Sequence, residues 1–366
     1  MNKLVIFMPS IEGGGVEKNL FIISNFLAKE LKDTNLITAD KIYNKKFKNI
    51  NIINPTFDFS LSPSRKFKYI LCLYELIKLI KKDKKITVFA FQANFYCAII
   101  CKILFNIKLI TRSNSSPSGW SQNFLKIIVF KYLFKLIDCV IVNSLDFKKE
   151  LKKKFNVNSI CIYNPLNLHQ IIKLSKQKIH FPFFNNKKEL NIINIGRFVD
   201  QKDHMTLLQA INIIKNKINF KMIIIGKGTN KTMILNFIKE NNLSKRVRVL
   251  PFQENPFKYI KLSNIFILTS TFEGLPNVLL EAICLRKFII SSKCPTGPRE
   301  ILNGGKGGFL FDVGNYEELA KKIEEYYFNK RLYKKKIDYA YKNLYRFNYN
   351  DNLKKYLNVV LNHLNY

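Results

Sequence analysis

Residues 191–207 carry side chains suited to binding a phosphorylated ligand. They read Asn-Ile-Ile-Asn-Ile-Gly-Arg-Phe-Val-Asp-Gln-Lys-Asp-His-Met-Thr-Leu, in which Gly196 ends a predicted strand and Arg197 and Lys202 precede a predicted helix. Arginine grips phosphate oxygens bidentately and lysine adds a mobile charge, so two cations beside a helix N-terminus suit a pyrophosphate. An ordinary pair of solvated surface cations is the alternative explanation.

A second segment, residues 270–282, reads Ser-Thr-Phe-Glu-Gly-Leu-Pro-Asn-Val-Leu-Leu-Glu-Ala. Glu273 lies on the predicted loop before a helix, and Glu281 lies within that helix. A carboxylate accepts two hydrogen bonds in one plane, which suits the vicinal hydroxyls of ribose or of a sugar ring. Because the two glutamates do not share one rigid element, they do not form a glycosidase pair of predictable separation. Each alone would more often be a cap or a surface charge, but together with the Arg197 loop they favour a ligand site.

Three glycines follow the first predicted strand, in the run Ser-Ile-Glu-Gly-Gly-Gly-Val-Glu-Lys at residues 10–18. Glycines let the backbone approach a ligand closely, and the helix that follows offers free N–H groups to an anion. The run is not a dinucleotide-binding fingerprint, since Lys18 stands where the third glycine of that pattern belongs. A tight strand-to-helix turn remains the alternative.

Short apolar runs that alternate with amphipathic segments must position these loops. This alternation predicts two doubly wound α/β domains with parallel sheets, the first over residues 1–175 and the second over 190–345. The aperiodic segment 175–189 is the expected hinge. The predicted strands are 4–8, 36–39, 86–91, 109–112, 139–143 and 160–163, then 191–196, 221–226, 247–252, 265–270, 288–292 and 309–313; helices are predicted at 315–329, 331–345 and 351–364.

The composition restricts the class of protein. Hydrophobic residues make up 47% of the 366 residues, which excludes a disordered chain. The net charge of +35 invites a nucleic-acid interpretation, but the excess is +17 over residues 1–175 and +18 over 176–366, so no half is specially basic. A residue bias toward lysine, or attraction to anionic lipids or phosphate-rich substrates, explains it instead. Seven scattered cysteines without C-x-x-C pairs indicate a reducing compartment and no structural zinc.

Seven motifs along the chain resemble those of the family 4 retaining glycosyltransferases of GT-B fold. They are Gly-Gly-Gly-Val-Glu (13–17), Val-Asn-Ser (142–144), Tyr-Asn-Pro (163–165), Ile-Gly-Arg with Gln-Lys (195–202), Ile-Ile-Gly-Lys-Gly (224–228), Phe-Glu-Gly-Leu-Pro-Asn-Val-Leu-Leu-Glu-Ala (272–282) and Cys-Pro-Thr-Gly-Pro-Arg-Glu-Ile-Leu (294–302). The resemblance covers nearly the whole chain. It implies two facing Rossmann-like domains, with a nucleotide sugar held mainly by the second. It also implies that a C-terminal segment, 346–366, crosses back to pack on the first domain.

The resemblance also implies roles for individual residues. Arg197 and Lys202 would neutralise the donor pyrophosphate, and Glu273 would face the transferred sugar or its phosphate, so these three are the expected catalytic residues. Glu281 would hold the ribose hydroxyls. The expected donor-binding residues are Gly14, Gly15, Gly196, Phe252, Gly274, Leu275, Pro276, Asn277, Val278 and Glu281.

No metal or other cofactor is implied, because the family uses cationic side chains and helix dipoles in place of a divalent cation. The chain also lacks an Asp-x-Asp motif. The implied reaction is front-face attack by an acceptor hydroxyl, in which the leaving phosphate oxygen helps to take the proton and the anomeric configuration is retained.

One departure from the family pattern concerns a histidine that many relatives carry in the first domain. This sequence reads Thr-Arg-Ser-Asn-Ser-Ser-Pro at residues 111–117, so Arg112 or Asn114 is expected to serve the acceptor side instead. His204 lies beside the phosphate loop and is expected to be a surface residue of the first helical turn.

The resemblance also implies an acceptor, because relatives of this kind build surface polysaccharides such as capsule or lipopolysaccharide. The expected acceptor is a glycan on a polyprenyl-diphosphate carrier at the cytoplasmic face of a membrane. The run Thr-Gly-Pro-Arg-Glu at 296–300 looks like that of enzymes handling UDP-hexoses or UDP-N-acetylhexosamines. Residues 65–85 carry eight cations and two acids, with Leu, Ile and Tyr at helical spacing, which fits either an amphipathic helix on an anionic membrane or an ordinary helix with a lysine-rich exposed face. A nucleotide-sugar epimerase or hydrolase of the same fold is the alternative function, and a nucleic-acid-binding protein is a more remote one. No apolar stretch is long enough to span a bilayer.

Overall fold

A computed structural model describes residues 2–56, 64–114, 117, 123–184, 186 and 188–364. It divides into two compact units, one formed by Met1–Pro165 with Tyr349–Tyr366 and the other by Leu166–Asn348. Each unit holds a parallel sheet with helices on both sides, so the predicted fold class of two Rossmann-like domains is confirmed.

Among its described residues, the first unit has a seven-stranded parallel sheet in the order β3-β2-β1-β4-β5-β6-β7. The strands are β1 (Lys3–Phe7), β2 (Thr34–Ile37), β3 (Asn51–Ile53), β4 (Ile86–Ala90), β5 (Lys108–Ser113), β6 (Cys139–Val142) and β7 (Ile160–Cys161). The helices are α1 (Gly15–Glu30), α2 (Arg65–Lys82), α3 (Asn94–Ala98), which continues as a π-helix over Ile99–Leu104, α4 (Phe124–Leu136) and α5 (Leu145–Phe155).

The second unit has a six-stranded parallel sheet in the order β10-β9-β8-β11-β12-β13. Its strands are β8 (Leu190–Ile195), β9 (Phe220–Ile225), β10 (Val247–Leu250), β11 (Ile265–Leu268), β12 (Phe288–Ser292) and β13 (Phe309–Phe311). Its helices are α6 (Leu168–Ser175), α7 (His204–Ile214), α8 (Lys231–Glu240), α9 (Phe257–Leu262), α10 (Asn277–Cys284), α11 (Pro298–Ile301), α12 (Tyr316–Phe328) and α13 (Lys334–Lys342).

The last helix, α14 (Tyr349–Leu364), belongs to the first unit, where it packs on α1. Its C-terminal carbonyls are used by that unit: Thr87 Oγ1 donates to the carbonyl oxygen of His363 at 3.0 Å, and the N–H of Asn2 donates to that of Leu364 at 3.2 Å. These bonds tie the end of α14 to the amino-terminal edge of β1 and β4.

The alternation of side chains along β1 shows how the first unit is layered. Leu4 and Ile6 belong to the core that holds buried residues of α1 and α14. Val5 and Phe7 belong to the opposite core, which holds buried residues of α2, α3, α4 and α5. Since successive residues of a strand face opposite sides of a sheet, the two helical layers lie on opposite faces.

The division between the units lies before α6, earlier than the predicted hinge at 175–189. Helix α6 packs on α9 and α10, and Asn255 Nδ2 donates to the carbonyl oxygen of Leu174 at 3.0 Å, which ties the helix to the second unit. Within the predicted hinge, a 3-10 turn over Pro182–Phe184 buries Phe184. The hinge residues Asn185 and Lys187 lie outside the described residues.

Two further observations bear on the sequence-based expectations. Strand β3 was not predicted; it is three residues long and half exposed, so it has little of the apolar signature of the other strands. Within the part of the chain that the structure describes, no helix combines the length and the apolar character needed to cross a bilayer.

Candidate donor site

The carboxyl ends of β8 and β11 bring the two predicted ligand loops together. In the sheet, β8 lies between β9 and β11, and the chain runs outward through β9 and β10 before it crosses to β11. This reversal is a topological switch point, at which neighbouring loops diverge and leave a crevice where α/β proteins bind ligands. The loop after β8 carries Arg197 and Lys202, and the loop after β11 carries Glu273.

The glycine loop after β9 fixes the backbone beside Arg197. The N–H of Phe198 donates to the carbonyl oxygen of Lys227 at 2.8 Å, and the N–H of Asn230 donates to that of Phe198 at 2.9 Å. A Cβ atom at Gly226 would lie 1.9 Å from the carbonyl oxygen of Gly196, a distance that no side chain tolerates. The two loops therefore pack backbone against backbone, which requires glycine at 226.

Arg197 and Lys202 leave this loop in different environments. Arg197 is exposed, and its Nη2 donates to Gln201 Oε1 at 3.3 Å. The Lys202 side chain instead folds back across Gly196, where an added Cβ would meet its Cγ and Cδ at 3.4 Å. Arg197 is therefore free to reach an incoming anion, whereas Lys202 is held in place.

Lys202 Nζ donates to Glu273 Oε1. The structure therefore pairs two residues for which the family resemblance implied separate roles. The side chains are only 14% and 9% exposed, respectively. Ser270 Oγ also donates to Glu273 Oε1, at 2.7 Å, and Thr269 Oγ1 donates to the carbonyl oxygen of Lys202 at 2.8 Å. The ammonium group and the carboxylate are thus both fixed at the switch point.

The loop after β12 supports the predicted sugar-phosphate loop from behind. Thr296 Oγ1 donates to the carbonyl oxygen of Glu273. Gly297 has φ +91°, and a Cβ atom there would lie 2.5 Å from the carbonyl oxygen of Gly274. Gly274, Leu275 and Pro276 are buried, whereas Asn277 and Val278, which begin α10, are half-buried. The backbone that we expect to cradle phosphate and hexose is therefore held rigidly. Neither Thr296 nor Gly297 was predicted as a site residue, although their run Thr-Gly-Pro-Arg-Glu had been singled out.

Two further predicted donor residues, Glu281 and Phe252, lie on neighbouring elements of the second unit. Glu281 is buried within α10, one helix turn or more beyond the loop. Phe252 follows β10 and is half exposed, with Lys227 Nζ 5.5 Å from its ring centroid. An exposed ring beside a cation offers a face on which a planar base can stack.

His204 is not the surface residue that the sequence suggested. It begins α7 but is buried, with its ring edge-on to Phe198 at 5.3 Å between centroids. Neither ring nitrogen has a hydrogen-bond partner among the described residues. Burial, together with the nearby charge of Lys202, lowers the pKa of His204 to about 4, so the ring is neutral at pH 7.

The glycine loop of the first unit is organised by Glu17, to which sequence reasoning gave no role. Its buried carboxylate accepts from the N–H of Gly14 at 2.8 Å and from the N–H of Glu12 at 3.4 Å. Gly14 is the N-cap of α1 and Gly15 its first residue. Glu17 stands three residues after the N-cap, the spacing at which a glutamate reaches back to the cap N–H, and that spacing could have identified it.

A residue that contacts the acceptor would face solvent, but Arg112 does not. It is fully buried; its Nε donates to the Tyr356 hydroxyl at 2.9 Å and its Nη2 donates to Asn164 Oδ1 at 2.6 Å. Arg112 thus connects the end of β5 to α14, and we correct its assignment to a structural one. Asn114 is half-buried, and its Nδ2 donates to the carbonyl oxygen of Phe91 at 3.0 Å.

Comparisons with known proteins agree with this fold. Residues 175–343, most of the second unit, match the family described as "Glycosyl transferases group 1". The chain is 33% identical over 254 residues to an uncharacterized glycosyltransferase of Methanocaldococcus jannaschii, an alignment that covers 64% of this chain and 62% of that protein.

Two further comparisons span nearly the whole chain. It is 27% identical to the N-acetylgalactosamine-N,N'-diacetylbacillosaminyl-diphospho-undecaprenol 4-alpha-N-acetylgalactosaminyltransferase of Campylobacter jejuni, covering 94% of this chain and 93% of that one. The crystal structure of Anabaena HepE in complex with UDP-glucose superposes with a TM-score of 0.78 at 16% identity, covering 99% and 100% of the two chains. The protein is therefore a glycosyltransferase of GT-B fold. Its second unit matches the group 1 glycosyl transferases over residues 175–343.

Proposed function

We propose that this glycosyltransferase uses a UDP-sugar, a hexose or N-acetylhexosamine donor, and retains the anomeric configuration. The observation that carries the proposal is the arrangement at the switch point, where exposed Arg197 and paired Lys202 flank one crevice with Glu273. Loss of a nucleoside diphosphate places negative charge on the leaving oxygen, and fixed cations stabilise it without reorganising. The UDP-glucose named with Anabaena HepE supports the choice of donor.

In this reaction each residue has a distinct task. Arg197 binds the incoming pyrophosphate, since its guanidinium is exposed. Among the described residues, its hydrogen bond is the 3.3 Å contact to Gln201, which the ligand can replace. Lys202 places its ammonium group where the leaving oxygen develops charge. Glu273, held by Ser270, contacts the transferred sugar. Glu281 binds the ribose hydroxyls and Phe252 stacks on the base. These cations make the reaction independent of a divalent metal.

We further propose that the acceptor is a hydroxyl of a lipid-linked glycan and that the reaction serves cell-surface polysaccharide synthesis at the cytoplasmic face of a membrane. The support is the diphospho-undecaprenol in the name of the Campylobacter jejuni relative, to which this chain is similar along 94% of its length. Peripheral attachment to that membrane is part of the proposal.

A screen of nucleotide sugars by thermal shift tests the donor. A ligand at about 100 times its dissociation constant stabilises the fold by about 2.7 kcal/mol, so one UDP-sugar should raise the melting temperature clearly while GDP- and ADP-sugars do not. The product released with a lipid-linked acceptor is then analysed by NMR for its anomeric configuration. An inverted product, stabilisation by a different nucleotide, or turnover of the donor without any acceptor would contradict the proposal.

A further inference from the structure

An exposed apolar surface of the first unit lies on helix α4. Leu125 and Tyr132 are 71% and 64% exposed, and Ile128 and Val129 between them are half exposed. These four residues, the α4 stripe, are spaced i, i+3, i+4 and i+7 and therefore share one face of the helix. The opposite face of α4 packs into the core through Phe130 and Phe134. Helix α4 is thus apolar on both faces, whereas a helix at a water-exposed surface is polar on one.

Neighbouring helices extend this apolar surface. Helices α2, α3 and α4 contribute to the same core and so lie in one layer on one side of the sheet. Phe95 of α3 stacks on Phe130 of α4 at 4.5 Å between ring centroids. Exposed Tyr96 on α3 and Leu104 at the end of the π-helix continue the surface beside α4.

Helix α2 carries the same combination of apolar and basic residues along its exposed face. Ile70 and Tyr74 are exposed one turn apart, and exposed Lys66 and Lys78 flank them. The Tyr69 ring meets Tyr96 of α3 at 6.5 Å, which joins the two helices at this surface. The apolar patch therefore spans three helices and is larger than scattered surface residues would make.

Lysines predominate among the charged residues around the α4 stripe. Helix α4 itself carries Lys126, Lys131 and Lys135 and no acidic residue. On the adjacent α5, which packs against α4, Lys148, Lys149, Lys152 and Lys153 are grouped, while the acidic Glu150 is already paired with Lys154 at 2.9 Å. Apolar side chains rimmed by lysines complement an anionic bilayer, whose acyl region accepts the apolar groups and whose headgroups attract the cations.

We propose that the first unit docks on an anionic lipid bilayer through this surface, with the α4 stripe inserted at the interface and the lysines of α4 and α5 at headgroup level. The inference deepens the proposed function, because it names the surface that brings the enzyme to a lipid-linked acceptor. It assigns the insertion to α4, whereas the sequence indicated residues 65–85 as the candidate membrane-bound helix.

Vesicle flotation with apolar variants separates local insertion from the attraction of the net charge of +35. The double variant Leu125→Ser/Val129→Ser leaves that charge unchanged. On phosphatidylglycerol/phosphatidylcholine vesicles at moderate salt, it should bind about tenfold less than wild type, since two apolar anchors are lost. The matched control is Phe328→Ser/Leu332→Ser in the second unit, whose side chains are 68% and 71% exposed, and it should float like wild type.

A second pair of variants tests the lysines. Replacing Lys148, Lys149, Lys152 and Lys153 with Gln should weaken binding to anionic vesicles strongly. The same number of replacements among exposed lysines of the second unit (Lys231, Lys321, Lys334 and Lys335) should weaken it much less, although both sets remove equal charge. Binding to pure phosphatidylcholine should be weak throughout.

Activity on a water-soluble acceptor separates this proposal from the proposed function. All variants should keep that activity, because none of these residues belongs to the donor site. Wild-type flotation by the α4 double variant, or equal losses in the variant and its control, would overturn the docking proposal and leave the enzymatic one standing. A dimer that becomes monomeric in the α4 variant without a change in vesicle binding would assign the stripe to self-association and would also overturn it.

Discussion

Replacing Lys202 with methionine separates its effect on catalysis from its effect on stability. The Glu273 carboxylate is 9% exposed, and without Lys202 it keeps the hydrogen bond from Ser270 but loses the ammonium group. Removing one partner of a buried ion pair costs about 3–5 kcal/mol, and the residual exposure of this pair reduces that to about 2–3 kcal/mol. For a domain of this size, the melting temperature should fall by about 4–10 °C.

Glu273→Gln supplies the other arm of a double-variant cycle. Methionine and glutamine together remove both charges, so Lys202→Met/Glu273→Gln should regain most of the stability lost by Lys202→Met. Catalysis should not recover, because the leaving diphosphate still lacks its cation. We expect kcat to remain about 10²–10³-fold below wild type in both Lys202 variants.

The assay measures thermal unfolding and steady-state kinetics on the same preparations. Recovery of both stability and activity in the double variant would refute the reasoning, since it would mean that Lys202 serves only to neutralise Glu273. An unchanged melting temperature in Lys202→Met would contradict the conclusion that the Lys202–Glu273 ion pair is buried and stabilises the fold.

Four further predictions use other parts of the molecule. Arg197→Ala should lower kcat about 10²–10³-fold without changing the melting temperature, because its side chain is exposed and, among the described residues, hydrogen-bonds only to Gln201; near-normal turnover would contradict its role. Activity should survive EDTA, and loss that Mg²⁺ or Mn²⁺ restores would show that the leaving group depends on a metal. The pKa of His204 is lowered from 6.5 to about 4, so the unfolded state binds more protons than the folded state between these pH values. The contribution of His204 to stability is therefore present above pH 6.5 and is lost as the pH falls toward 4. The melting temperature of His204→Phe should depend less on pH in that range than the melting temperature of wild type. Gly226→Ala should destabilise the second unit strongly, by several °C or more, since its Cβ would overlap the carbonyl oxygen of Gly196; a melting temperature close to wild type would contradict the backbone packing.

The sequence predicted most strands because those of parallel sheets are buried on both faces and appear as runs of Val, Ile and Phe. Strand β12 was predicted with the bounds that the structure has. The edge strand β3 gives no such signal, since it has three residues and begins with exposed Asn51. The hinge was placed too late for a related reason. The aperiodic stretch around Pro182 reads as a linker, but Phe181 packs edge-on against Tyr259 at 5.3 Å, and aromatic contacts of this kind leave no periodic pattern.

The candidate donor site was more predictable than the acceptor side, and chain topology explains the difference. Lys202 and Glu273 are 71 residues apart in the sequence, but each lies on the loop that follows a strand. Because the two strands, β8 and β11, are neighbours in the sheet, the fold brings both loops to the same edge. Arg112 and Tyr356 are 244 residues apart, and their contact depends on how α14 returns to the first unit. No local pattern around Arg112 marks it as buried, so a basic residue beside a family motif was assigned to substrate. The ends of neighbouring strands therefore predict which side chains meet, whereas an ionisable residue within a strand needs its burial known first.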